Sequence, residues 1–495
     1  MSKHFIQFVI ARHEAIANCA RPLCVVRDCR AIARNDKMYR LNNLKMKYLL
    51  FIIPVFFILQ APAQTIIKQD AAIKQMVDEV SSKNIETIIR KLVSFKTRHT
   101  LSDTTSTTEG SGAARNWIKA EMTKYAETSG GRMKVQFDTF TQPKGERIDK
   151  PVHLKNVLAI LRGTDPKDTR VYIVSGHYDS RVNDVMNANA VEPGANDDAS
   201  GTAVSMELAR VMAKRSFPAT IIFMSVVGEE QGLYGSTNVA KRAKAENWDV
   251  DAMLNNDIVG NTHGMETDLK DNRSVRVFSE GVPSVAAKND RQVAGLIALG
   301  GENDSPSREL ARYVKETAER YVDQLDVKLI YRRDRYLRGG DHVPFLLQGF
   351  TAVRFTEMNE DFNRQHQDVR TENGVDYGDL PDFVDFNYVQ KVARMNLSVL
   401  ANLALAPAEP QNVGIVTSGL TNKTTLKWDA PKTGKKPTGY YVLMRETISP
   451  FWEKKFYVTD NTTTLAYSKD NYLFAVQSVD ADGHESLPVF PKPVR

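Results

Sequence analysis

The residues best suited to chemistry are histidines and carboxylates at the ends of apolar segments. His177 and Asp179 follow one apolar segment, and Glu229 and Glu230 follow another at residues 220–227. Buried carboxylates are costly unless a cation or a proton neutralises them. Imidazole nitrogens and carboxylate oxygens are also ligands of zinc. The pattern therefore indicates a metal site in which one carboxylate could accept a proton.

Three further segments extend this set of residues. Asp197 and Asp198 lie between glycines just before a helical pattern, where one carboxylate could bridge two cations. A helix cap would explain one of these two carboxylates more easily than both. Asp257 ends another short apolar segment, and His366 stands in a polar loop. Taken alone, Asp257 or His366 would more often be an ordinary surface residue. Only the combination of all these segments indicates a metal site.

In chain order the segments read H-x-D, G-x-N-D-D-x-S-G and G-E-E-x-G-x-x-G-S, followed by Asp257 and His366. With these motifs the sequence resembles the secreted bacterial zinc aminopeptidases, in the superfamily that also includes glutamate carboxypeptidase and the transferrin receptor. The resemblance covers roughly residues 80–405. It implies an α/β, three-layer zinc-exopeptidase fold with a central, mostly parallel mixed sheet.

The resemblance also implies a role for each residue. Two Zn²⁺ ions per chain would be bound by five side chains, with Asp197 between the ions and the others in two pairs: His177 with Asp257, and Glu230 with His366. Glu229 would be the general base, and Asp179 would orient His177. The implied reaction is peptide hydrolysis by a metal-bound hydroxide, releasing N-terminal residues from peptide or protein substrates. A cis peptide bond is expected between Asp197 and Asp198.

Further along the chain, a segment resembles the part of the family that lines the cleft. Arg338, Asp341 and His342 are predicted there to face substrate or to support the ligands, although a plain turn explains them equally well. His342 is the alternative to His366 for the last metal ligand, and family position favours His366. Gln365 stands where many members have a tyrosine that helps the oxyanion, which leaves the oxyanion donor open.

Three alternative functions remain on the same fold. A carboxypeptidase would need basic residues for the substrate carboxylate, and Arg335 and Arg338 keep that reading open. Glutaminyl cyclases keep one zinc and lack the full N-D-D-x-S-G motif, whereas residues 196–201 are intact here. A metal-free binding relative is disfavoured because all five ligands and Glu229 are present.

The elements that must position these residues follow from apolar spacing. Helical spacing occurs at residues 70–96, 113–125, 201–214, 307–325 and 385–405, and strand-like runs occur at 134–140, 152–161, 171–175 and 220–227. Alternating strands and helices predict an α/β domain with a largely parallel sheet under helices. We assign residues 64–405 to this zinc peptidase domain.

The character of the chain changes after residue 405. Residues 406–410 form a Pro-rich linker, and short strands are predicted beyond it at 424–428, 440–445, 454–458 and 472–479. Residues 411–495 are therefore predicted to form an all-β sandwich, which resembles a fibronectin type III domain. Contact with a cell surface or a polysaccharide is one role open to such a module, and a spacer is another.

The first part of the chain is predicted to be a leader. Met46 precedes Lys47 and twelve apolar residues, 48–59, and a small-x-small cleavage signal ends at Ala63. Residues 46–63 are thus predicted to be a signal peptide, cleaved near Ala63, and residues 1–45 a spurious upstream extension. The apolar run is too short to span a membrane. We expect a secreted or periplasmic protein without stable membrane insertion.

The excess of positive charge and the cysteines are both confined to this first part of the chain. The formal net charge is +6, but residues 1–47 contain ten basic and three acidic residues, so the remainder is close to −1. The basic character therefore gives no argument for nucleic-acid binding. All three cysteines lie within the first thirty residues, so no disulfide is expected later in the chain.

Overall fold

A computed structural model describes residues 69–286 and 289–495 of the protein. The predicted signal peptide, the predicted upstream extension and the three cysteines lie outside the described residues. The helices are α1 Ala71–Glu79, α2 Ser82–Val93, α3 Gly110–Glu127, α4 Ala199–Met212, α5 Glu229–Gly232, α6 Tyr234–Ala245, α7 Asp290–Ala298, α8 Pro306–Tyr321, α9 His342–Leu347 and α10 Phe386–Leu405.

The strands fall into an N-terminal and a C-terminal group. The first group is β1 Met133–Gln142, β2 Val152–Leu161, β3 Arg170–His177, β4 Thr220–Val226, β5 Asp249–Asn256, β6 Ser274–Phe278, β7 Asp326–Ile330, β8 Ala352–Glu357, β9 Arg370–Glu372 and β10 Val375–Tyr377. The second group is β11 Gln411–Val416, β12 Thr424–Asp429, β13 Gly439–Glu446, β14 Lys454–Val458, β15 Thr462–Leu465, β16 Tyr472–Val479 and β17 Lys492–Val494.

Eight strands form the central sheet, in the order β1-β2-β4-β3-β5-β8-β6-β7. The pairs β4–β3, β3–β5, β5–β8 and β6–β7 are parallel, and the other three pairs are antiparallel. Strands β4, β3, β5 and β8 are adjacent and run in the same direction. Their carboxyl ends therefore meet at one edge of the sheet, where α/β proteins place their sites.

Both faces of this sheet are covered by helices. Because side chains alternate along a strand, neighbouring residues of β3 point to opposite faces. Tyr172 and Val174 belong to a core with α1, α2, α3, α4, α8 and α10, whereas Ile173 belongs to a core with α6 and α9. The result is three layers, helices on a mixed sheet on helices, and the predicted fold class is confirmed.

The C-terminal strands β11–β17 form two separate sheets. One has the order β15-β12-β11-β17 and the other β14-β13-β16. Their shared core contains Trp428 of β12 against Tyr440 of β13, with ring centroids 5.2 Å apart. The predicted strands at this end of the chain are present, and the likeness to fibronectin type III stays a prediction.

The C-terminal sheets pack against the α/β part through buried charges. Arg445 of β13 donates to both carboxylate oxygens of Asp304, at 2.7 and 2.9 Å. Arg320 of α8 pairs with Glu485 in the same way, at 2.9 and 3.2 Å. The predicted linker 406–410 is itself mostly buried. These contacts fix the C-terminal sheets to helix α8 and the segment before it.

Among residues 69–286 and 289–495, no helix combines the length and the apolar character needed to cross a membrane.

Candidate active site

The chemistry-bearing residues meet where the parallel strands end. His177 is the last residue of β3, and Glu229 and Glu230 begin α5 shortly after β4. Asp257 directly follows β5, and His366 lies in the loop after β8. Since these four strands are neighbours in the sheet, segments that are far apart in sequence come together at one edge.

Asp197 lies between the two histidines. Its Oδ1 is 3.2 Å from His177 Nε2, and its Oδ2 is 2.9 Å from His366 Nε2. Glu230 Oε1 is also 2.9 Å from His366 Nε2, and Asp257 Oδ1 is 3.8 Å from His177 Nε2. The structure thus brings together all five predicted metal ligands, in two groups that share the Asp197 carboxylate.

The ligand atoms themselves fit a cation. His177 Nε2, His366 Nε2 and Glu230 Oε1 are buried, and although each lies 2.9–3.2 Å from a facing ligand atom, none makes a hydrogen bond of acceptable geometry among the described residues. Buried polar atoms are normally hydrogen-bonded, so these three facing atoms indicate a missing partner. Nitrogen and oxygen donors of this kind suit zinc. The residues present therefore fit a zinc site.

The charges of the site also favour a bound cation. Burial opposes protonation of His366, but the charges of Glu230 and Asp197 raise its pKa to about 10. The two carboxylates therefore favour positive charge beside the ring, and a metal ion would supply that charge. This electrostatic preference for a cation follows from the same close approach of the carboxylates to the ring.

Glu229 is placed differently from the ligands. Its Oε2 is 4.0 Å from His177 Nε2, and its side chain is 14% exposed, so it can reach a molecule in the cleft. Burial raises the pKa of Glu229 well above its ordinary value, and the nearby carboxylates of Asp257 and Glu230 raise it further. A carboxyl group with a raised pKa can both accept and return a proton near neutral pH.

The two carboxylates of the Asp-Asp pair have separate tasks. Asp197 points into the site, whereas Asp198 caps α4 and accepts a hydrogen bond at 2.9 Å from the backbone N–H of His177. Asp379 accepts from the backbone N–H groups of Asn196 at 2.8 Å and Asp197 at 2.6 Å. The peptide bond between Asp197 and Asp198 is cis, which confirms that expectation.

Asp179 contacts the ring of His177 from the far side. The ring Nδ1 lies 3.1 Å from the carbonyl oxygen of Asp179 and 3.5 Å from its Oδ1. Asp179 Oδ2 accepts from Thr100 Oγ1 at 2.8 Å and from the backbone N–H of Glu230 at 3.2 Å. These contacts keep Nε2 of His177 directed at Asp197, as an orienting partner of a metal ligand should.

Only one of the residues predicted to face substrate lies at the active-site cavity. Arg338 lines the cavity of about 300 Å³ that holds the site. Asp341, His342 and Gln365 do not line this cavity and are buried. His342 Nε2 lies 2.8 Å from the carbonyl oxygen of Arg333, and burial lowers the pKa of His342 to about 4. His342 is therefore not grouped with the ligands, whereas its alternative, His366, is.

Two arginines beside the ligands were missed by the sequence analysis. Arg181 Nε is 2.9 Å from Glu230 Oε2, and its Nη2 is 2.7 Å from His366 Nδ1. Arg354, which is wholly buried, has Nη2 2.9 Å from Asp257 Oδ1. A charge inside the apolar strand 352–357 was the available signal for Arg354.

Comparison with known proteins identifies the family. The sequence model of peptidase family M28 matches residues 156–386. A "Probable zinc metalloprotease" of Leptosphaeria maculans is 49% identical over 422 residues, covering 85% of this chain and 97% of that protein. Another, of Pyricularia oryzae, is 47% identical and covers 86% of this chain and 85% of its own length. The Legionella pneumophila LapA aminopeptidase matches in structure with a TM-score of 0.48 and 20% identity, over 70% of this chain and 78% of that chain.

These relatives correct one detail of the resemblance and support its assignment to a family of zinc metallopeptidases. The two proteins of high identity are fungal, so the likeness to specifically bacterial enzymes is not what sequence identity shows. The matched range contains every predicted ligand, from His177 to His366, together with Glu229. The chain belongs to peptidase family M28 and is a zinc metallopeptidase.

Proposed function

We propose that this protein is a two-zinc aminopeptidase that releases N-terminal residues from peptides and proteins. The observation that carries the proposal is the Asp197 carboxylate, whose two oxygens lie 3.2 and 2.9 Å from the ring nitrogens of His177 and His366. One carboxylate facing two separate histidines has a natural explanation as a bridge between two ions.

The side chains then have distinct tasks. Zinc ions bound by these ligands supply a Lewis acid for the scissile carbonyl and lower the pKa of water. Glu229, at the cavity wall, accepts the proton of the attacking water and returns it to the leaving amine. Asp179 and Asp198 hold the ring and the backbone of His177. The ligand positions are thereby fixed before a substrate arrives, which limits reorganisation during the reaction.

Metal content and activity can be tested separately. The zinc-loaded protein is assayed on peptides with free N-termini, with and without a chelator, and zinc per chain is counted by elemental analysis. Glu229→Gln should keep two zinc ions and lose at least about a hundredfold in kcat, the range for a lost general base. Glu127→Gln, an exposed glutamate at the end of α3, is the matched control. One zinc per chain, or full activity in Glu229→Gln, would overturn the proposal.

A carboxypeptidase is the second candidate. Arg335 and Arg338 both line the cavity, where they could bind the terminal carboxylate of a substrate. Peptides with a blocked N-terminus separate the two activities, because an aminopeptidase leaves them intact. Release of C-terminal residues from such peptides would move the assignment to a carboxypeptidase. Absence of hydrolysis from either end would leave a cyclase or a binding role.

We also propose that the protein is secreted after removal of residues 46–63, and that the C-terminal sheets form a fibronectin type III-like module. The support for secretion is the basic, apolar and small-residue order around Ala63. N-terminal sequencing of the protein recovered outside the cell should begin at Gln64. A mature chain that still contains residues 48–59 would contradict this proposal.

A further inference from the structure

Outside the predicted zinc ligands and Glu229, the wall of the active-site cavity carries only positive charge. Apart from Glu229 and the ligands Asp197, Glu230, Asp257 and His366, the charged residues that line it are all arginines: Arg147, Arg181, Arg335 and Arg338. Arginine presents a planar set of donors that matches a carboxylate. These guanidinium groups differ in how many acidic partners they have within the protein.

Arg181 is used within the site itself. Its contacts with Glu230 Oε2 at 2.9 Å and with His366 Nδ1 at 2.7 Å leave it facing the ligands. Its carbonyl contact, from Nη1 to Val182 O at 3.1 Å, occupies a further donor. Arg181 is therefore not available to bind a substrate.

Arg335 and Arg338 share a single acidic partner. Arg335 Nη1 and Arg338 Nη1 lie 2.9 and 3.2 Å from the same oxygen, Glu360 Oε2, while Arg276 Nη2 is 2.9 Å from Oε1. Burial alone would raise the pKa of Glu360, but the charges of Arg335 and Arg338 hold it below its ordinary value. Arg335 also contacts Asp334, so Arg338 is the less neutralised of the two.

Arg147 completes the positive wall. It is exposed, and its Nη1 donates to the carbonyl oxygen of Glu230 at 3.0 Å. No carboxylate of the described residues lies within ion-pair distance of Arg147. Arg338 thus has only a carboxylate that it shares with Arg335, and Arg147 has no carboxylate within ion-pair distance among the described residues. Both can donate to a new partner with little loss of existing contacts.

We infer that Arg338 and Arg147 form a subsite for a carboxylate of the substrate, so that acidic or short peptides are preferred. The inference rests on the proposed peptidase function and adds its substrate class. The carboxylate could be an acidic side chain next to the scissile bond or the free C-terminus of a short peptide. Both present the same two oxygens to the guanidinium groups, and the field of the wall draws either one toward the cavity.

Matched peptide pairs distinguish the two sources. Leu-Asp-amide against Leu-Asn-amide tests a side-chain carboxylate, and Leu-Ala against Leu-Ala-amide tests a terminal carboxylate. Binding is measured by calorimetry on zinc-loaded Glu229→Gln protein, so that turnover does not interfere, and kcat and KM are measured on the wild-type enzyme. In at least one pair the charged peptide should bind about tenfold more tightly, as expected for a charge-assisted hydrogen bond to a partly exposed arginine.

Arginine variants then test the residues. Arg338→Met and Arg147→Met should each reduce the charged-to-neutral affinity ratio about three- to tenfold, mainly through KM, whereas Arg338→Lys should retain part of it. Arg333→Met, an exposed arginine outside the cavity wall, is the control and should keep the full ratio. Equal affinity within both peptide pairs, or an unchanged ratio in both Met variants, overturns the subsite. Absence of hydrolysis by the zinc-loaded wild type overturns the proposed function instead, since the calorimetric ratio is measured without turnover.

Discussion

Arg354 and Asp257 form a buried ion pair at the edge of the active site, with Arg354 Nη2 2.9 Å from Asp257 Oδ1. The same guanidinium donates through Nη1 to Asp334, at 3.1 and 3.3 Å. Although burial opposes ionisation, Arg354 lowers the pKa of Asp257 below its ordinary value. One arginine of β8 therefore keeps a predicted zinc ligand ionised and connects it to a second buried carboxylate.

Replacing this arginine should destabilise the whole fold. Arg354→Met leaves Asp257 and Asp334 buried without their shared cation, and removing one member of a buried ion pair costs about 3–5 kcal/mol. Urea unfolding of the zinc-free protein measures the loss without a contribution from bound metal. Arg332→Met, at an exposed position, should change the free energy of unfolding by less than about 0.5 kcal/mol. Equal stability of Arg354→Met and wild type would show that the pair is not a structural requirement.

Asp379 should control metal affinity although it is not a ligand. Its carboxylate accepts from the backbone N–H groups of Asn196 and Asp197, at 2.8 and 2.6 Å, and so holds the predicted bridging residue. Asp379→Asn removes the negative charge and one of the two acceptor oxygens, so it should weaken zinc binding about 10–100-fold, the range for lost support of a ligand. Competition with a chromogenic chelator measures the affinity. Asp382→Asn, whose side chain is 82% exposed, is the control and should bind zinc as the wild type does.

The residues of the motifs meet in the structure because most of them lie at strand ends. His177, Asp197, Glu229, Glu230 and Asp257 are each within a few residues of an element boundary that apolar spacing indicates, and the parallel sheet brings these boundaries to one edge. The ligand set was predicted through the family resemblance, and the structure places its members together. What the residues alone could not decide was whether His342 or His366 completes it, since both follow polar segments.

The residues that support the predicted ligands could not be predicted from the sequence, for a different reason. Asp379 contacts Asp197 across 182 residues of chain, and Arg181 contacts His366 across 185. Such contacts are set by the path of loops, which have no periodic pattern to read. Strands β5 to β11, β15 and β17 were not predicted either, and the shortest of them, β9, β10 and β17, have three residues each, which is too little alternation to recognise.

Glu309 should make stability depend on pH at the junction with the C-terminal sheets. Burial raises the pKa of Glu309 to about 7, although Arg312 opposes the shift. Between its ordinary value and about 7, the folded protein keeps a proton that the unfolded chain has released. Stability contributed by this group therefore falls as pH rises through that window, by up to about 1.4 kcal/mol per pH unit.

Substitution isolates this contribution from those of other groups. The difference in unfolding free energy between wild type and Glu309→Gln should change by about 3 kcal/mol from pH 4.5 to 7. The wild type should become less stable relative to the variant as pH rises. Urea unfolding at several pH values measures it. Glu86→Gln, at a partly exposed glutamate of α2, is the control. A flat difference for Glu309→Gln would contradict the raised pKa.

Arg445 and Asp304 should couple the folding of the C-terminal sheets to that of the α/β part. Both side chains are almost wholly buried, at 2% and 0% exposure, and Asp304 also pairs with Arg312 at 2.9 Å. Arg445→Met should cost about 3 kcal/mol, because a buried carboxylate loses a bidentate partner. In a double-mutant cycle with Asp304→Asn, the coupling free energy should be about 2 kcal/mol.

An exposed pair supplies the control for this cycle. Arg370 and Glu372 lie 3.0 Å apart with 39% and 56% exposed side chains, so their coupling should be below about 1 kcal/mol. If the junction couples the two parts as expected, wild-type unfolding followed by tryptophan fluorescence, with Trp428 in the C-terminal sheets and Trp117 in α3, shows one transition. Arg445→Met should shift that transition to lower urea, and a second transition in the wild type would show that the C-terminal sheets fold independently of the peptidase core.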